Sequence, residues 1–344
     1  MPARRAALER RSSRLEALGP LDKQVTASLS DVWNSGRKPT EIRVRSSFIA
    51  LTRPLSGPMS DSSPPPEASR PPLARLITSK GLALRTALTS LFVAQCSLTS
   101  PANLQGKVPN PEDDSLGWRH LVLAPAVHDP DSVRAVRLLD NQVRQIKRAF
   151  DRLAGAEIGI VEQRRRGVPR KRYEEMQLLH EGGVRATGPA PAYRLPKADE
   201  PTVDFPIDFF LNGWLNVLED SEIASWLMFR HRCGSPSAYA AGYAGVELSG
   251  EDRLATYGLA RTVWDTHQLL GVLGLVVHQA DGRRRRDGSV EDYNSMGKGV
   301  RHRFRMADTP LGDPAMVSAI TDIEADLDNP DGSWAERSQA GMVT

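Results

Sequence analysis

The sequence predicts a mainly α-helical fold with small β-hairpins (α+β), organised as two similar domains. Three observations predict it. The chain has 344 residues, about twice the length of a common single domain. A pattern of helix and strand occurs twice, at an offset of 120 residues. Each copy is followed by a cluster of arginines. The remaining segments are predicted to be a flexible N-terminal region and an acidic C-terminal tail.

Residues 1–72 are interpreted as a basic arm followed by a linker. The first 20 residues mix leucines with arginines, which is typical of a weakly amphipathic helix, and a solvated arm is the simpler interpretation. From residue 36 to residue 72 prolines accumulate among serine and glycine, including the run Pro64–Pro66. This composition is typical of a linker, because proline lacks the N–H that helices and sheets require.

The first domain is predicted over residues 73–196. Helical periodicity spans 73–96, where leucines recur at the spacing of a buried stripe. Asp129–Pro130 indicates a helix start, because the aspartate side chain accepts from unpaired N–H groups and proline loses no hydrogen bond there. It opens a short helix over 130–137, which a tight turn at Leu138 joins to the helix of the first repeat.

The second domain is predicted over residues 205–306 and has the same order of elements. A helix spans 220–233. Ser249–Asp252 fits a capping box, in which each side chain bonds the backbone N–H of the other residue. This box opens a short helix over 250–257, and a Gly-Leu turn leads to the helix of the second repeat.

The two repeats share their apolar positions. Residues 137–163 superpose on residues 257–279, and the paired positions are Leu139 with Leu259, Val143 with Val263, Phe150 with Leu270, and Leu153 with Leu273. Each copy is a helix, a small-residue stop and a short β-prone run. In each domain the repeat helix therefore follows a shorter helix and precedes a hairpin, which predicts a helix-turn-helix of the winged variety.

The second copy carries the clearer resemblance to a known fold. Residues 257–263 (YGLARTV) followed by 273–276 (LGLV) resemble the winged-helix pattern, in which a Gly-Leu turn precedes the recognition helix and a Leu-Gly-Leu exit feeds the wing. Two winged helix-turn-helix domains in tandem are similar in architecture to theta-type plasmid replication initiators, and more loosely to tandem winged-helix regulators. The chain departs from the pattern at Ala260, where a Ser or Thr cap is usual, and at Leu138, where a turn glycine is expected.

The resemblance implies that the outward face of each repeat helix enters the major groove of double-stranded DNA. Arginine pairs with guanine O6 and N7, whereas asparagine and glutamine suit adenine. The residues expected on the outward face of the first helix are Asn141, Gln142, Arg144, Gln145, Lys147 and Arg148. Those expected on the second are Arg261, Thr262, Asp265, Thr266 and Gln268. An ordinary solvated helix face is the alternative for each helix taken alone.

The wings are expected to contact phosphates. In the first domain the cations are Arg164, Arg165, Arg166, Arg170, Lys171 and Arg172. In the second they are Arg283, Arg284, Arg285 and Arg286, and the return strand adds Arg301, Arg303 and Arg305. That strand alternates strictly, so its arginines lie on one face while Val300, Phe304 and Met306 lie on the other. Two such clusters at equivalent places indicate a polyanionic partner, because each neutralised phosphate releases counterions.

The sequence has no motif that would indicate the other classes of function considered below. Two cysteines without CxxC spacing exclude a disulfide framework and a thiolate zinc site, and no GxxxxGK[ST] or His-x-His pair is present. The longest apolar run, 269–277, is half of a membrane span. We therefore expect a cytoplasmic, nucleoid-associated protein that is not an enzyme, needs no cofactor or metal and has no membrane partner.

The net charge of +3 hides an uneven distribution that bears on the partners. Residues 307–344 hold eight acidic residues and one arginine, so the rest of the chain carries a net charge of +10. We expect the tail to keep the protein soluble or to contact host replication or transcription proteins.

The sequence thus predicts a sequence-specific double-stranded DNA-binding protein, either a replication initiator or a transcriptional regulator. The alternative is a protein-interaction scaffold whose arginines meet an acidic partner. A nuclease or nicking enzyme without a recognisable active site is a third hypothesis.

Overall fold

The fold is mixed α+β, mostly helical with small antiparallel sheets. It is seen in a computed structural model that describes residues 2–57, 59–78, 81–104, 116–125, 135–163, 172–173, 175–183, 188–234, 246–279 and 303–329. The chain divides into two compact units. Unit 1 comprises Met1–Ala17, Ala50–Pro66 and Val217–Thr344, and unit 2 comprises Leu18–Ile49 and Glu67–Asn216. Each unit therefore draws on separate stretches of the chain.

Helix α1 (Pro2–Ser35) contributes residues to both units. The side chains of Leu15, Val25 and Leu29 along it are no more than 1% exposed. The prediction of a flexible arm is therefore wrong for this stretch. The apolar stripe of α1 continues to Leu29, beyond the 20 residues interpreted as an arm. Residues 1–20 alone therefore contain too little of the stripe to indicate that the helix is packed.

Unit 2 holds the first repeat. After α1, its elements are β1 (Glu41–Arg45), α2 (Ser46–Ile49), α3 (Pro72–Leu76), α4 (Ala83–Cys96), β2 (Asn103–Leu104), α5 (Trp118–Leu121), α6 (Ala135–Leu153), β3 (Val161–Gln163), β4 (Met176–Leu178), β5 (Thr202–Pro206), α7 (Asp208–Leu211) and α8 (Trp214–Val217), whose last residue belongs to unit 1. Strands β1 and β5 pair antiparallel, with Ile42 opposite Phe205. Strands β2, β3 and β4 form a second antiparallel sheet in the order β2-β4-β3.

Two predicted features of unit 2 are wrong. The helix predicted over 73–96 is divided into α3 and α4, and the interval contains Thr78 and Gly81, which weaken a helix. The turn predicted at Leu138 is absent, because Leu138 lies inside α6. No glycine or proline occurs between Ala135 and Leu153 to end the helix earlier. The predicted helix start at Asp129–Pro130 lies outside the described residues.

Unit 1 holds the second repeat. Its elements after α8 are α9 (Asp220–Cys233), β6 (Val246–Glu247), α10 (Gly250–Tyr257), α11 (Arg261–Trp264), α12 (His267–Val272), β7 (Val276–Gln279), β8 (Arg303–Met306) and α13 (Ala315–Asp328). Helices α9 and α10 have the predicted bounds. The three strands form an antiparallel sheet in the order β6-β8-β7.

The two three-stranded sheets have the same topology. Each unit runs helix, strand, helix, helix, strand, strand, and in each the last strand lies between the other two. In unit 1 the helix that corresponds to α6 is divided into two short helices, α11 and α12. The sequence pattern lacked the first strand of each sheet, β2 or β6, because two residues are too few for alternation to appear.

Phe304 on β8 occupies the middle of the unit 1 core. Its ring is fully buried. The ring centroid lies 4.7 Å from that of Phe229 on α9, 5.4 Å from Trp264 on α11 and 5.3 Å from His267 on α12. His278 on β7 lies at 5.5 Å. One aromatic side chain therefore joins the sheet to three helices.

The predicted acidic tail is in part a packed helix. On α13 the side chains of Ala315, Ala319 and Ile323 are no more than 1% exposed. Asp326 is fully buried at its side chain and forms an ion pair of 2.5 Å with Arg4 of α1. Over these residues the acidic segment is part of unit 1 rather than a solvated tail.

We expect Phe304→Ala to lower the free energy of unfolding of unit 1 by about 3–5 kcal/mol, the usual cost of removing a buried aromatic ring. Urea unfolding followed by tryptophan fluorescence measures the change, since Trp264 contacts the ring. Val317→Ala is the control, because Val317 is 66% exposed, and its effect should stay within about 0.5 kcal/mol. Equal small effects would contradict a central role for Phe304.

A pH dependence should follow from His267. The side chain is buried, its Nδ1–H donates to the carbonyl of Trp264 at 2.6 Å, and burial lowers the pKa of the ring below its ordinary value of 6.5. The neutral ring thus adds stability that is present above about pH 6.5 and is lost as the pH falls through the lowered pKa.

The variant His267→Asn keeps an N–H donor but cannot titrate. Wild-type protein should therefore lose its advantage over this variant as the pH falls from about 7.5 to about 5.5. Urea midpoints of the two proteins at three pH values measure this, and a constant difference would contradict it.

Candidate nucleic-acid interface

The corner between helices α10 and α11 of unit 1 begins with a capping box. Ser249 Oγ accepts from the N–H of Asp252 at 2.9 Å, and Asp252 Oδ2 accepts from the N–H of Ser249 at 3.4 Å. The predicted capping box is confirmed. Helix α10 then ends at Gly258, whose φ of +63° is left-handed and suits glycine. This turn redirects the chain into α11.

Asp61 provides the cap that Ala260 lacks. Its Oδ1 accepts from the backbone N–H of Arg261, the first residue of α11, at 2.8 Å. The same carboxylate accepts from Arg253 Nη2 of α10 at 2.8 and 2.9 Å. The side chain of Arg253 is only 4% exposed and also donates to the carbonyl of Leu259. One carboxylate therefore joins both helices of the corner.

Asp61 lies in the proline-rich stretch whose composition predicts a linker. We call residues 50–66 the strap. Leu51 N–H donates to the carbonyl of Thr256 at 2.9 Å, and Leu55 N–H donates to that of Ala255 at 3.0 Å. These carbonyls lie in the last turn of α10, where no helical donor remains. The strap is thus attached to the corner. Asp61 is the only acidic residue of the strap, and this is the one feature of the sequence that could have indicated its role as a helix cap.

The second repeat helix exposes most of the predicted residues. Arg261, Thr262, Asp265 and Gln268 are exposed, and the side chain of Arg261 is 74% exposed. Thr266 is half-buried and its hydroxyl donates to the carbonyl of Val263 at 2.6 Å. The predicted single helix is therefore interrupted at this place, since a threonine hydroxyl that bonds a nearby carbonyl competes with helix formation.

The return strand of unit 1 is only partly available to a partner. Phe304 points inward as predicted, and Arg303 and Arg305 are half-buried. Arg303 Nε donates to Glu247 Oε1 of β6 at 2.7 Å, so an internal carboxylate already neutralises it. Arg301, and the cluster Arg283, Arg284, Arg285 and Arg286, lie outside the described residues.

In unit 2 helix α6 has a clear division between its faces. Val143, Ile146 and Phe150 are buried, and Phe150 packs edge-on against Trp118 of α5 at 4.9 Å. Arg144 and Arg148, one turn apart, are exposed on the opposite side. They are the predicted residues of this helix that are most accessible to a ligand.

The other predicted residues of α6 are half-buried, namely Asn141, Gln142, Gln145 and Lys147. The Nε2 of Gln145 donates to the carbonyl of Pro125 at 3.3 Å. The ammonium of Lys147 lies 5.6 Å from the centroid of the Tyr173 ring, within cation–π range. These two side chains therefore have contacts within unit 2.

Arg172 is the described residue of the first arginine cluster. Its Nη2 lies 2.9 Å from Asp151 Oδ1 of α6, and its Nε donates to Gln163 Oε1 at 2.9 Å. It is therefore held inside unit 2 by an acidic partner that the sequence pattern did not indicate. The cluster members Arg164, Arg165, Arg166, Arg170 and Lys171 lie outside the described residues.

The His, Cys, Asp and Glu side chains of the described part of the chain are the remaining candidates for metal or thiol chemistry. There, no group of three or more His, Cys, Asp or Glu is arranged to hold a metal ion. Cys96 is buried, and burial raises the pKa of its thiol to about 12, so it is a poor nucleophile at neutral pH. None of the helices described has the length and apolarity that crossing a bilayer requires.

Comparisons with models of protein families, with curated proteins and with solved structures found no match. The chain's own topology, its exposed side chains and their charges therefore carry the functional argument. Both units place exposed arginine on a helix between the first strand of the sheet and the hairpin, namely Arg144 and Arg148 on α6 and Arg261 on α11.

We expect Asp61→Ala to lower the free energy of unfolding of unit 1 by about 2 kcal/mol. The loss of a helix cap costs about 1 kcal/mol, and a buried arginine left without its carboxylate adds a further cost, reduced here because Asp61 is partly exposed. Asp61→Asn should lie between, because an amide oxygen still accepts from Arg261 but carries no charge for Arg253.

The matched control is Asp265→Ala, which removes a carboxylate that is 53% exposed and 3.8 Å from Arg261. Its effect should stay below about 0.5 kcal/mol. Urea unfolding of the three variants measures the order. An effect of Asp61→Ala no larger than that of the control would show that the strap does not stabilise the corner.

Proposed function

We propose that this protein binds double-stranded DNA in a sequence-specific manner through two winged helix-turn-helix domains in tandem, and acts as a replication initiator or a transcriptional regulator. The observation that carries the proposal is the shared topology of the two units. In each, a strand precedes two helices and a pair of strands, and the last strand is central. This is the arrangement in which a helix and a hairpin can approach one duplex together.

The exposed residues of α6 support the proposal. Arg144 and Arg148 project from one face of a helix whose opposite face is fully packed. The major groove is wide enough for a helix, and an arginine can pair bidentately with guanine there. Asn141 and Gln142, half-buried beside them, have the amide groups that pair with adenine.

The corresponding residues of unit 1 lie at the start of the repeat helix. Arg261 and Thr262 open α11, and Asp265 follows one turn later. In helix-turn-helix proteins the N-terminal residues of the recognition helix lie nearest the base edges. Because Asp61 holds the N–H of Arg261, the position of this helix start is defined before any ligand binds.

The positions of the basic segments in the sequence also support the proposal. Three arginines follow β3 and four follow β7, in each case between two strands that pair antiparallel. Cations at these places are suited to phosphates on either side of the groove that the helix enters.

The test is retention of genomic DNA fragments at rising salt. We expect a recurring set of fragments to remain bound at moderate salt and to contain a common site. Arg261→Ala, or Arg144→Ala with Arg148→Ala, should relax the preference at individual base positions, each worth about 1–3 kcal/mol. Replacing residues 283–286 by alanine should weaken binding to all sequences and reduce the salt dependence, by close to one unit per lost phosphate contact.

Arg10→Ala provides the control, since Arg10 is exposed on α1 outside the candidate interface. It should leave the site preference unchanged. Retention of no DNA, or of all DNA without a common site, would overturn the proposal. Binding of an acidic protein in place of DNA would instead favour the scaffold hypothesis.

A further inference from the structure

Gln163, which precedes the first arginine cluster, and Arg172, the last member of that cluster, meet at one carboxylate. Gln163 ends β3, and Arg172 shortly precedes β4. Gln163 Nε2 donates to Asp151 Oδ1 at 3.0 Å, and Arg172 Nη2 lies 2.9 Å from the same oxygen. Arg172 Nε also donates to Gln163 Oε1 at 2.9 Å. The three side chains therefore form a closed set of hydrogen bonds on α6.

Tyr173 adds a fourth side chain to this set. Its hydroxyl lies 2.9 Å from Asp151 Oδ2 and 3.0 Å from Oδ1, and donates to the carboxylate. The cations of Lys147 and Arg172 each lie 5.6 Å from the centroid of its ring. Tyr173 thus brings the chain before β4 against the helix whose outer face carries Arg148.

The charge of Asp151 strengthens these hydrogen bonds. Asp151 accepts charge-assisted hydrogen bonds, which are stronger than neutral ones, and its side chain is only 35% exposed. Burial and the neighbouring carboxylate raise the pKa of Tyr173 to about 12, so its hydroxyl remains a donor at neutral pH. Asp151 therefore keeps all its donors over the physiological range.

We propose that Asp151 is a positioning residue for DNA binding: it fixes Gln163 and Arg172 at one place on α6. This inference rests on the proposed function. In the sequence, five of the predicted cations (Arg164, Arg165, Arg166, Arg170 and Lys171) lie between Gln163 and Arg172. Because Gln163 and Arg172 both contact Asp151, the residues on either side of that segment are attached to the helix that carries Arg144 and Arg148. Arg172 then acts as a structural cation and is not a phosphate contact.

Simple electrostatics predicts the opposite effect of removing this charge. A carboxylate near a DNA interface repels phosphate, so replacing it with a neutral residue should strengthen binding to any DNA. If Asp151 positions the flanking residues, its loss should weaken binding although the protein becomes more basic. The sign of the change therefore separates the two explanations.

The experiment compares Asp151→Ala, Asp151→Asn and Tyr173→Phe with Asp140→Asn in the full chain. Asp140 is exposed, lies about three turns earlier on α6 and provides the same change of charge. We expect Asp151→Ala to weaken binding to a retained fragment about tenfold. Asp151→Asn and Tyr173→Phe should weaken it less, because each keeps part of the hydrogen-bond set. Asp140→Asn should bind as tightly as wild type, or more tightly.

A measurement without DNA tests the positioning separately. Hydrogen exchange of the amides in 161–163 and 175–178 should become faster in Asp151→Ala than in wild-type or Asp140→Asn protein, while thermal unfolding shows that each variant is folded. Unchanged exchange, or DNA binding by Asp151→Ala that equals or exceeds wild type, would overturn the inference. Failure of the wild-type protein to retain any specific fragment would overturn the proposed function, whereas the exchange result would still decide whether Asp151 fixes these strands.

Discussion

In unit 1 the buried ring of Phe304 is shared by a strand and three helices, and the positions of the other elements follow from it. Because side chains alternate along a strand, burial of Phe304 places Arg303 and Arg305 on the other face of β8. Trp264 of α11 and His267 of α12 both contact the ring, so both of these short helices pack against the sheet. The contact between Trp264 and Phe304 therefore determines which face of α11 is exposed.

Acidic residues have a structural task in both candidate interfaces. Asp61 joins α10, α11 and the strap in unit 1, and Asp151 joins α6 to Gln163 of β3 and to Arg172 before β4 in unit 2. Asp61 pairs with Arg253, and Asp151 pairs with Arg172, which the sequence predicts to contact phosphate. A count of cations therefore overestimates the surface offered to a polyanion. The arginines that remain exposed, such as Arg144 and Arg261, are the better guide.

Local signals in the sequence predicted the local features. The capping box at Ser249 and the inward position of Phe304 each depend on residues within one turn or one strand, and both are confirmed. Features that depend on distant partners were missed. Strand β6 has only two residues and is recognisable through its pairing with β8, and Asp61 caps a helix that starts 200 residues later. Helix α1 was underestimated because its buried stripe extends past the basic stretch that suggested an arm.

The strap has a consequence for how this protein can be divided or recombined. A chain that begins at residue 67 would still encode every candidate recognition residue, yet it would lack the partner of Arg253 and the cap of α11. Each unit is assembled from separated stretches of the gene, so no single cut in the chain releases either one intact. Exchange of a coding segment that begins between residues 67 and 260 and contains α11 would separate this helix from the aspartate that caps it. The strap and the corner must therefore stay together in any such recombination.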